Sequence, residues 1–534
     1  MKEFSFKTRQ QNLSQLQNQI FDLVIIGGGI TGAGVARDAA LRGLSVALIE
    51  ANDFASGTSS RSSKLIHGGI RYLENYEFHL VFEALSERTK LFEMAPHLVH
   101  PLRFMIPLFR NSRVSPFVMG LGMILYDALA LFRSPELHEN LSVQKTIQRL
   151  PILRESDLVG SFVYSDAYMD DDRLVLETLR SAHEASACLV NYTKVVRSLP
   201  SADQEHQLEI QDQISKKNIT VKARHVVSTV GPWTDLVGPS LVENWKNILR
   251  PTKGIHLTFH KDRLPLTSAV VMAAQKSSRI VFAIPRHEMI IVGTTDTDFQ
   301  GLPENVSVTK DDVDYLLQIT NEYFPGAKLT EKDIISSYVG VRPLVKDEAG
   351  SEGKTSREHT ILDVEPGFTF VAGGKYTTYR LMSEQIVDRI LKNFTIERRS
   401  QLNRCETSQP LNRWTTAEAY QQAIQNAETA IEKSLAYRYG NEAKEIIKSS
   451  TYQSVWQYEA WQAIHHTMCL NLIDFYVRRV PLFLSYPDHG LSLLPEVVSV
   501  FQNELQWSAS QAEEQVQKLK NYIENELSWR KDFN

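Results

Sequence analysis

Phe21-Asp22-Leu23-Val24-Ile25-Ile26-Gly27-Gly28-Gly29-Ile30-Thr31-Gly32-Ala33-Gly34 decides the fold. An apolar, β-branched run enters a glycine turn there, and the turn opens a helix. Gly27 permits the tight turn, Gly29 lets backbone approach a pyrophosphate with no side chain between, and Gly32 lets helix and strand pack closely. Ile30 and Thr31 begin the helix, so their N–H groups face the phosphate charge. A second apolar strand, Ser45-Val46-Ala47-Leu48-Ile49, ends at Glu50, 18 positions after Gly32. An acid at that place bonds ribose hydroxyls and would repel a 2′-phosphate. The pattern predicts an α/β domain that binds a dinucleotide lacking that phosphate.

Around this motif, 534 residues are too many for one core, so two or three domains are expected. A formal net charge of −5 gives no general attraction to nucleic acid, and no nucleic-acid partner is expected. Cys188, Cys405 and Cys469 are few and far apart, which fits reduced thiols in a cytosolic protein and neither a disulfide framework nor a metal site. Residues 1–20 are polar and glutamine-rich, without the apolar core of a signal peptide, and read as a leading helix on the surface. The apolar run from Pro116 to Phe132 falls short of the roughly 20 residues that cross a bilayer and is interrupted by Asp127. It reads as a buried helix. Any membrane contact would come from lying on the surface.

The expected nucleotide-binding domain is discontinuous, 21–95, 151–250 and 345–395. A substrate-binding domain takes 96–150 and 251–344, where β-branched runs at 256–259, 269–272, 279–284 and 289–293 predict antiparallel strands. Prolines 96, 101, 107 and 116 favour extended segments. Beyond residue 395, sequence rich in alanine, glutamine and glutamate predicts a helical C-terminal domain, 396–534. Asp170-Asp171-Asp172 reads as either a metal-binding run or a helix start. The helical text that follows favours N-capping by an acid.

A second motif, Thr58 to Leu73, packs hydroxyls, two glycines and cations into one loop. Such a loop suits a large anionic cofactor with an anionic substrate beside it. Thr58, Ser59, Ser62 and Ser63 offer hydroxyls, the backbone through Lys64, Leu65 and His67 offers N–H groups, and Gly68 and Gly69 allow close approach. Arg71 and Tyr72 can reach a substrate phosphate. Arg342 and Lys375 lie in two further glycine-bearing motifs, and a phosphomonoester dianion needs such fixed cations. The strand Val226 to Val230 leads to Gly231 and Trp233 for a second cofactor contact, and Val195 would border the adenine.

The chain resembles the membrane-associated, FAD-dependent glycerol-3-phosphate dehydrogenases. The matching text runs from residue 20 to 385 in the family's order. Its most specific blocks are His67-Gly68-Gly69-Ile70-Arg71-Tyr72 and Gly373-Gly374-Lys375-Tyr376-Thr377-Thr378-Tyr379-Arg380. Val230-Gly231-Pro232-Trp233, Lys253-Gly254-Ile255-His256 and Gly340-Val341-Arg342-Pro343-Leu344 add to them. Asp474-Phe475-Tyr476-Val477-Arg478-Arg479 resembles the family's Asp-Phe-x-x-Arg-Arg element, with Val480 in place of a threonine and no acid near Thr467.

The resemblance implies a Rossmann-type FAD-binding domain of the amino-acid-oxidase and glutathione-reductase-like superfamily, an α+β antiparallel-sheet substrate domain and a helical C-terminal domain. It implies FAD, with Gly374, Lys375 and Thr377 joining the cofactor contacts, and no metal. It implies oxidation of sn-glycerol 3-phosphate, with electrons passed to a membrane quinone by a protein peripheral on the cytoplasmic face of the cell membrane, in a homodimer. Arg71, Tyr72, His256, Arg342, Lys375 and Thr377 would hold the substrate. His256 is the preferred base for the C2 hydroxyl, with His67 as its rival, and Arg342 or Lys375 would stabilise the reduced ring. A glycerol-3-phosphate oxidase using oxygen shares every motif. A flavin scaffold without turnover would lose the three cations, and an amino-acid oxidase needs a carboxylate clamp instead. Phe475 to Leu484 is weighed as a membrane-docking surface against helix-end packing.

Overall fold

A computed structural model describes residues 2–201, 205–273, 279–346 and 359–533, apart from the side chains of Arg71 and Asn75. Its central sheet has six strands in the order His359–Glu365, Phe368–Gly373, Val226–Ser228, Leu23–Ile26, Val46–Ile49 and Cys188–Val190. All neighbours pair in parallel except the edge strand His359–Glu365. Every residue of Leu23–Ile26 and Val46–Ile49 is buried, as parallel strands covered on both faces require. Leu23 and Ile25 face helices Ile30–Leu41, Asp171–Glu184 and Tyr379–Leu391. Val24 and Ile26 face a four-stranded sheet built on Thr193–Leu199, His206–Asp212 and Asn218–Ala223.

A larger sheet carries the predicted runs as strands Thr252–His260, Ala269–Ala273, Ile280–Arg286 and Met289–Gly293, and Ile334–Arg342 pairs along the first of them. Val99–Phe109 lies in the same sheet. Its second side pairs only at Phe104 and Met105, so Pro101 and Pro107 withhold no N–H from that neighbour.

Four expectations change. Strand Leu158–Met169 pairs along Val99–Phe109 in the large sheet, and Leu65–Ile66 joins it there. Residues 158–169, expected in the nucleotide-binding domain, thus form a strand of the large sheet. No shift in composition marks this.

The leading helix, Phe6–Asn18, is not a surface appendage. It buries Thr8, Arg9, Asn12 and Leu16. The Arg9 guanidinium donates to the carbonyls of Asn191 and Tyr192 and pairs with Asp212. Its contacts satisfy polar groups, which leaves no apolar stripe to read.

Helix Pro116–Leu129 is largely exposed. Only Met123, Tyr126 and Asp127 are buried within it, while Phe117 is 76% exposed. An all-apolar helix carries no signal for which face turns inward. Phe475 to Leu484, by contrast, is buried throughout except Pro481, so it is helix-end packing and not a docking surface.

The acidic run does start a helix, but Asp170 makes no side-chain cap bond. Its carboxylate pairs with Arg286 and Arg173, and Asp171 pairs with Lys64. Asp171 and Asp172 still accept from the N–H groups of Asp172 and Arg173, so only Asp170 gives its carboxylate wholly to buried cations.

Candidate active site

The carboxyl ends of the parallel strands open onto a cavity of about 670 Å³. Leu23–Ile26 delivers Gly27, Gly29, Ile30 and Thr31 to it, Val46–Ile49 delivers Glu50, Val226–Ser228 leads to Gly231 and Trp233, and Phe368–Gly373 leads to Gly374 and Lys375. Ligands of open α/β sheets bind at this edge.

The glycine turn is built for close contact. Gly27 holds φ +105°, and a Cβ there would stand 2.9 Å from the Thr229 carbonyl oxygen. A Cβ on Gly32 would stand 1.9 Å from the Gly27 carbonyl oxygen, so Gly32 lies under the turn and supports it without lining the cavity. The Glu50 carboxylate accepts from Gly28 N–H at 2.7 Å and Asn52 N–H at 2.8 Å. Burial raises its pKa, and those two N–H groups oppose the shift. A Cβ on Gly231, at φ +57°, would meet nothing within 4 Å.

At the other end, the Thr58 hydroxyl donates to Val341 O at 2.6 Å, and Ser62 donates to Asp171 at 2.7 Å. Ser63 turns away from the cavity to His256, with its Oγ 2.8 Å from Nε2. His256 is 2% exposed and stacks on Tyr338 at 4.7 Å, and its Nδ1 has no hydrogen-bond partner. Burial, then the charges of Arg342 and Lys64, hold its pKa well below the ordinary histidine value. The ring is neutral at physiological pH.

Arg342 bonds Asp296 Oδ1 at 2.8 Å and Thr294 Oγ1 at 2.9 Å, and a Cβ on Gly254 would come within 2.5 Å of its Nη2. Lys375 Nζ lies 4.1 Å from the centre of the Tyr72 ring. Thr377 Oγ1 accepts from His67 N–H at 3.3 Å, which pins the histidine-glycine loop. The Arg71 side chain lies outside the described residues.

Thirteen of the expected cofactor residues line the cavity: Gly27, Gly29, Ile30, Thr31, Glu50, Thr58, Ser59, Ser62, Val195, Gly231, Trp233, Gly374 and Lys375. Lys64 and Leu65 do not. The Lys64 ammonium is buried against Asp171, and Leu65 belongs to the core of the large sheet. His67 is exposed, Gly68 N–H donates to Tyr126 Oη at 3.1 Å, and Gly69 takes φ +71°; none of the three lines the cavity. Tyr192, Gln213 and Glu304 line it without having been singled out. Glu304 accepts from Trp233 Nε1 at 3.0 Å, a pairing across 71 residues that no local pattern marks.

The family described as FAD dependent oxidoreductase matches residues 22–380, and the C-terminal domain of alpha-glycerophosphate oxidase matches 408–512. An aerobic glycerol-3-phosphate dehydrogenase of Staphylococcus saprophyticus is 33% identical over 513 residues, covering 92% of each chain. This chain belongs to the FAD-dependent glycerol-3-phosphate dehydrogenase family. A Staphylococcus aureus member of that family is 38% identical over 385 residues, covering 72% of this chain and 69% of its own. The solved glycerol-3-phosphate dehydrogenase of Bacillus halodurans, complexed with FAD, is 27% identical with a TM-score of 0.79, covering 97% of this chain and 98% of its own. The expected fold is therefore the family's fold, and the cofactor of this flavoprotein is FAD. The residues present fit it: Gly27 and Gly29 leave room for a pyrophosphate, Glu50 lines the same cavity where a ribose would lie, and a Cβ on Gly231 would meet nothing within 4 Å.

Proposed function

We propose that the chain oxidises sn-glycerol 3-phosphate at its C2 hydroxyl to dihydroxyacetone phosphate and that its electrons pass to a membrane quinone. Bound FAD supplies the hydride acceptor. The observation that carries the reading is the strand pairing that sets Arg342 beside a buried, neutral His256, with Lys375 against Tyr72 in the cavity wall. Lys375 and Arg342 hold the phosphate dianion, with Arg71 and Tyr72 from the neighbouring loop completing the clamp. Asp296 and Thr294 fix the Arg342 fork before substrate arrives. His256 takes the hydroxyl proton: its ring is neutral, and Ser63 and Tyr338 fix its plane. Thr377 acts by holding His67 and its loop.

No helix among the described residues is long and apolar enough to cross a membrane, so a lipid-soluble acceptor would be met by peripheral contact at the inner face of the cell membrane. A second reading, transfer to oxygen with release of peroxide, is favoured by one observation: the 408–512 match carries an oxidase domain's name.

Glycerol 3-phosphate added anaerobically is expected to bleach the flavin. Fast reoxidation by a soluble quinone and slow reoxidation by oxygen supports the dehydrogenase. Fast reoxidation by oxygen with peroxide moves the reading to the oxidase, and no bleaching overturns the substrate.

A further inference from the structure

Lys64 is a buried cation to which the proposed chemistry gives no part. Its side chain is 1% exposed, and its backbone holds φ +56°, a conformation that an L residue adopts only where its surroundings favour it. The ammonium meets the Asp171 carboxylate, which is fully buried at the start of helix Asp171–Glu184. A charge so far from water needs a partner in contact with it. Asp172 is the alternative, but it stands 4.0 Å away, and burial, opposed by the Lys64 charge, raises its pKa. Asp171 therefore carries the pairing.

This ion pair lies directly behind the wall of the cofactor cavity. Ser62, which lines the cavity, donates to Asp171 Oδ2 at 2.7 Å, and the Lys64 N–H donates to the same Ser62 Oγ at 2.9 Å. Tyr376, which lines the cavity next to Lys375, donates its hydroxyl to the Asp171 carbonyl oxygen. One buried acid thus joins the hydroxyl-bearing loop to the turn that carries Lys375.

The pair also faces the candidate base. Lys64 Nζ lies 5.8 Å from the centre of the Tyr338 ring, which stacks on His256 at 4.7 Å, and Tyr338 Oη donates to Ser62 O at 3.0 Å. Burial, then Arg342, then Lys64 hold the His256 pKa down. Charges in a desolvated interior are weakly screened. Left uncancelled, the Lys64 ammonium would make the His256 ring a poorer proton acceptor.

We infer that Asp171 is a positioning residue: its carboxylate cancels the Lys64 charge behind the cavity wall and so sets the field that the cofactor and His256 experience. The effect on His256 rests on the proton transfer proposed above, whereas the charge balance stands without it. The test uses the FAD-loaded full chain and compares Asp171→Asn, Lys64→Met and the double variant. Asparagine keeps the shape of the acid and an oxygen for Ser62.

The first readout is the flavin midpoint potential, measured by chemical reduction against a reference dye with no substrate present. Reduced flavin carries more negative charge, so Asp171→Asn, which leaves the ammonium uncancelled, should shift the potential upward. Lys64→Met leaves the carboxylate uncancelled and should shift it downward. The double variant should return close to the parent. A role in stability alone does not produce shifts of opposite sign. Potentials that stay put, or that move the same way in both single variants, overturn the inference. If Asp171→Asn fails to retain FAD, Lys64→Met and the double variant decide, a lowered potential and its recovery being required.

The second readout is turnover of glycerol 3-phosphate with a soluble acceptor. In Asp171→Asn, kcat should fall about tenfold, equivalent to about one pKa unit on the base, with KM changed by no more than about twofold. Adding Lys64→Met should recover most of that loss, and a double variant as slow as Asp171→Asn overturns the link to His256. Absence of turnover from the parent chain as well overturns the substrate reading alone, because the potentials still decide the charge balance.

Discussion

Arg479 grips Asp53 through both ends of its guanidinium, Nη1 to Oδ2 at 2.7 Å and Nη2 to Oδ1 at 2.9 Å, and joins the C-terminal domain to the loop that follows Glu50. Arg478 adds Nε to Asp53 Oδ2 at 2.7 Å. Tyr192, which lines the cavity, donates to Asp474 at 2.7 Å, and burial with the Asp53 charge pushes the Asp474 carboxyl up to about 6. The helical domain thus braces the loop after Glu50 and the cavity wall at Tyr192. Replacing Arg479 with Leu strands part of a buried carboxylate, at a cost of about 3 kcal/mol. Thermal melting should fall, and FAD should dissociate more readily, as read by flavin fluorescence. Unchanged melting and retention would refute the brace.

The phosphate clamp gives a kinetic prediction. Lys375→Met removes a fixed cation from the proposed anion site and should lower kcat/KM for glycerol 3-phosphate by about a hundredfold. Much of that loss should appear in KM. Steady-state kinetics with a soluble acceptor checks it, and a kcat/KM within a factor of three of the parent would remove Lys375 from the clamp.

His256→Gln should lower kcat by about 10²- to 10⁴-fold while FAD stays bound, because a general base is lost and the cavity wall is not. Ser63→Ala, which frees the ring without deleting it, should cost much less. Equal losses for the two variants would make His256 a positioning residue.

Two glycines separate packing from conformation. Gly32→Ala drives a Cβ into the Gly27 carbonyl oxygen and should yield colourless protein. Gly231→Ala meets no atom, yet φ +57° costs an L residue about 1 kcal/mol, so it should still bind FAD with slightly lower stability. The flavin absorbance ratio of the purified variants tests the contrast.

Four buried histidines predict the pH profile. Burial lowers His97 and His466 to about 3, and His183 and His225 to about 4. Each folded value lies below the unfolded value near 6.5, so the unfolded chain binds more protons below that pH. Their contribution is complete above pH 6.5 and is lost as pH falls toward 4, at about 1 kcal/mol per pH unit for each. Urea midpoints measured from pH 7.5 to 5 should fall steeply. A flat profile would mean that these rings already accept protons in the folded state.

Short-range pattern carried the nucleotide half of the site into the sequence. Gly27, Gly29, Gly32 and Glu50 are legible because one strand, one turn and one helix impose their spacing through backbone geometry. The family blocks around His256, Arg342 and Lys375 were legible as anion chemistry, though only the pairing of Thr252–His260 with Ile334–Arg342, across 75 or more residues, sets His256 beside Arg342. Lys64 read as a cofactor contact because its loop is basic and hydroxylated; only the fold brought Asp171 to it.

By itself the sequence determined local geometry and chemistry: the dinucleotide turn, the acid at the end of the second strand, a supply of cations and the helical C-terminal domain. The tertiary structure alone decided which face of Pro116–Leu129 meets solvent, that Arg478 and Arg479 are buried against Asp53, and that His256 is desolvated beside Arg342. Local geometry follows from φ and ψ preferences within one turn or strand. Burial and charge pairing depend on groups hundreds of positions apart, and their energies exist only once the chain has packed.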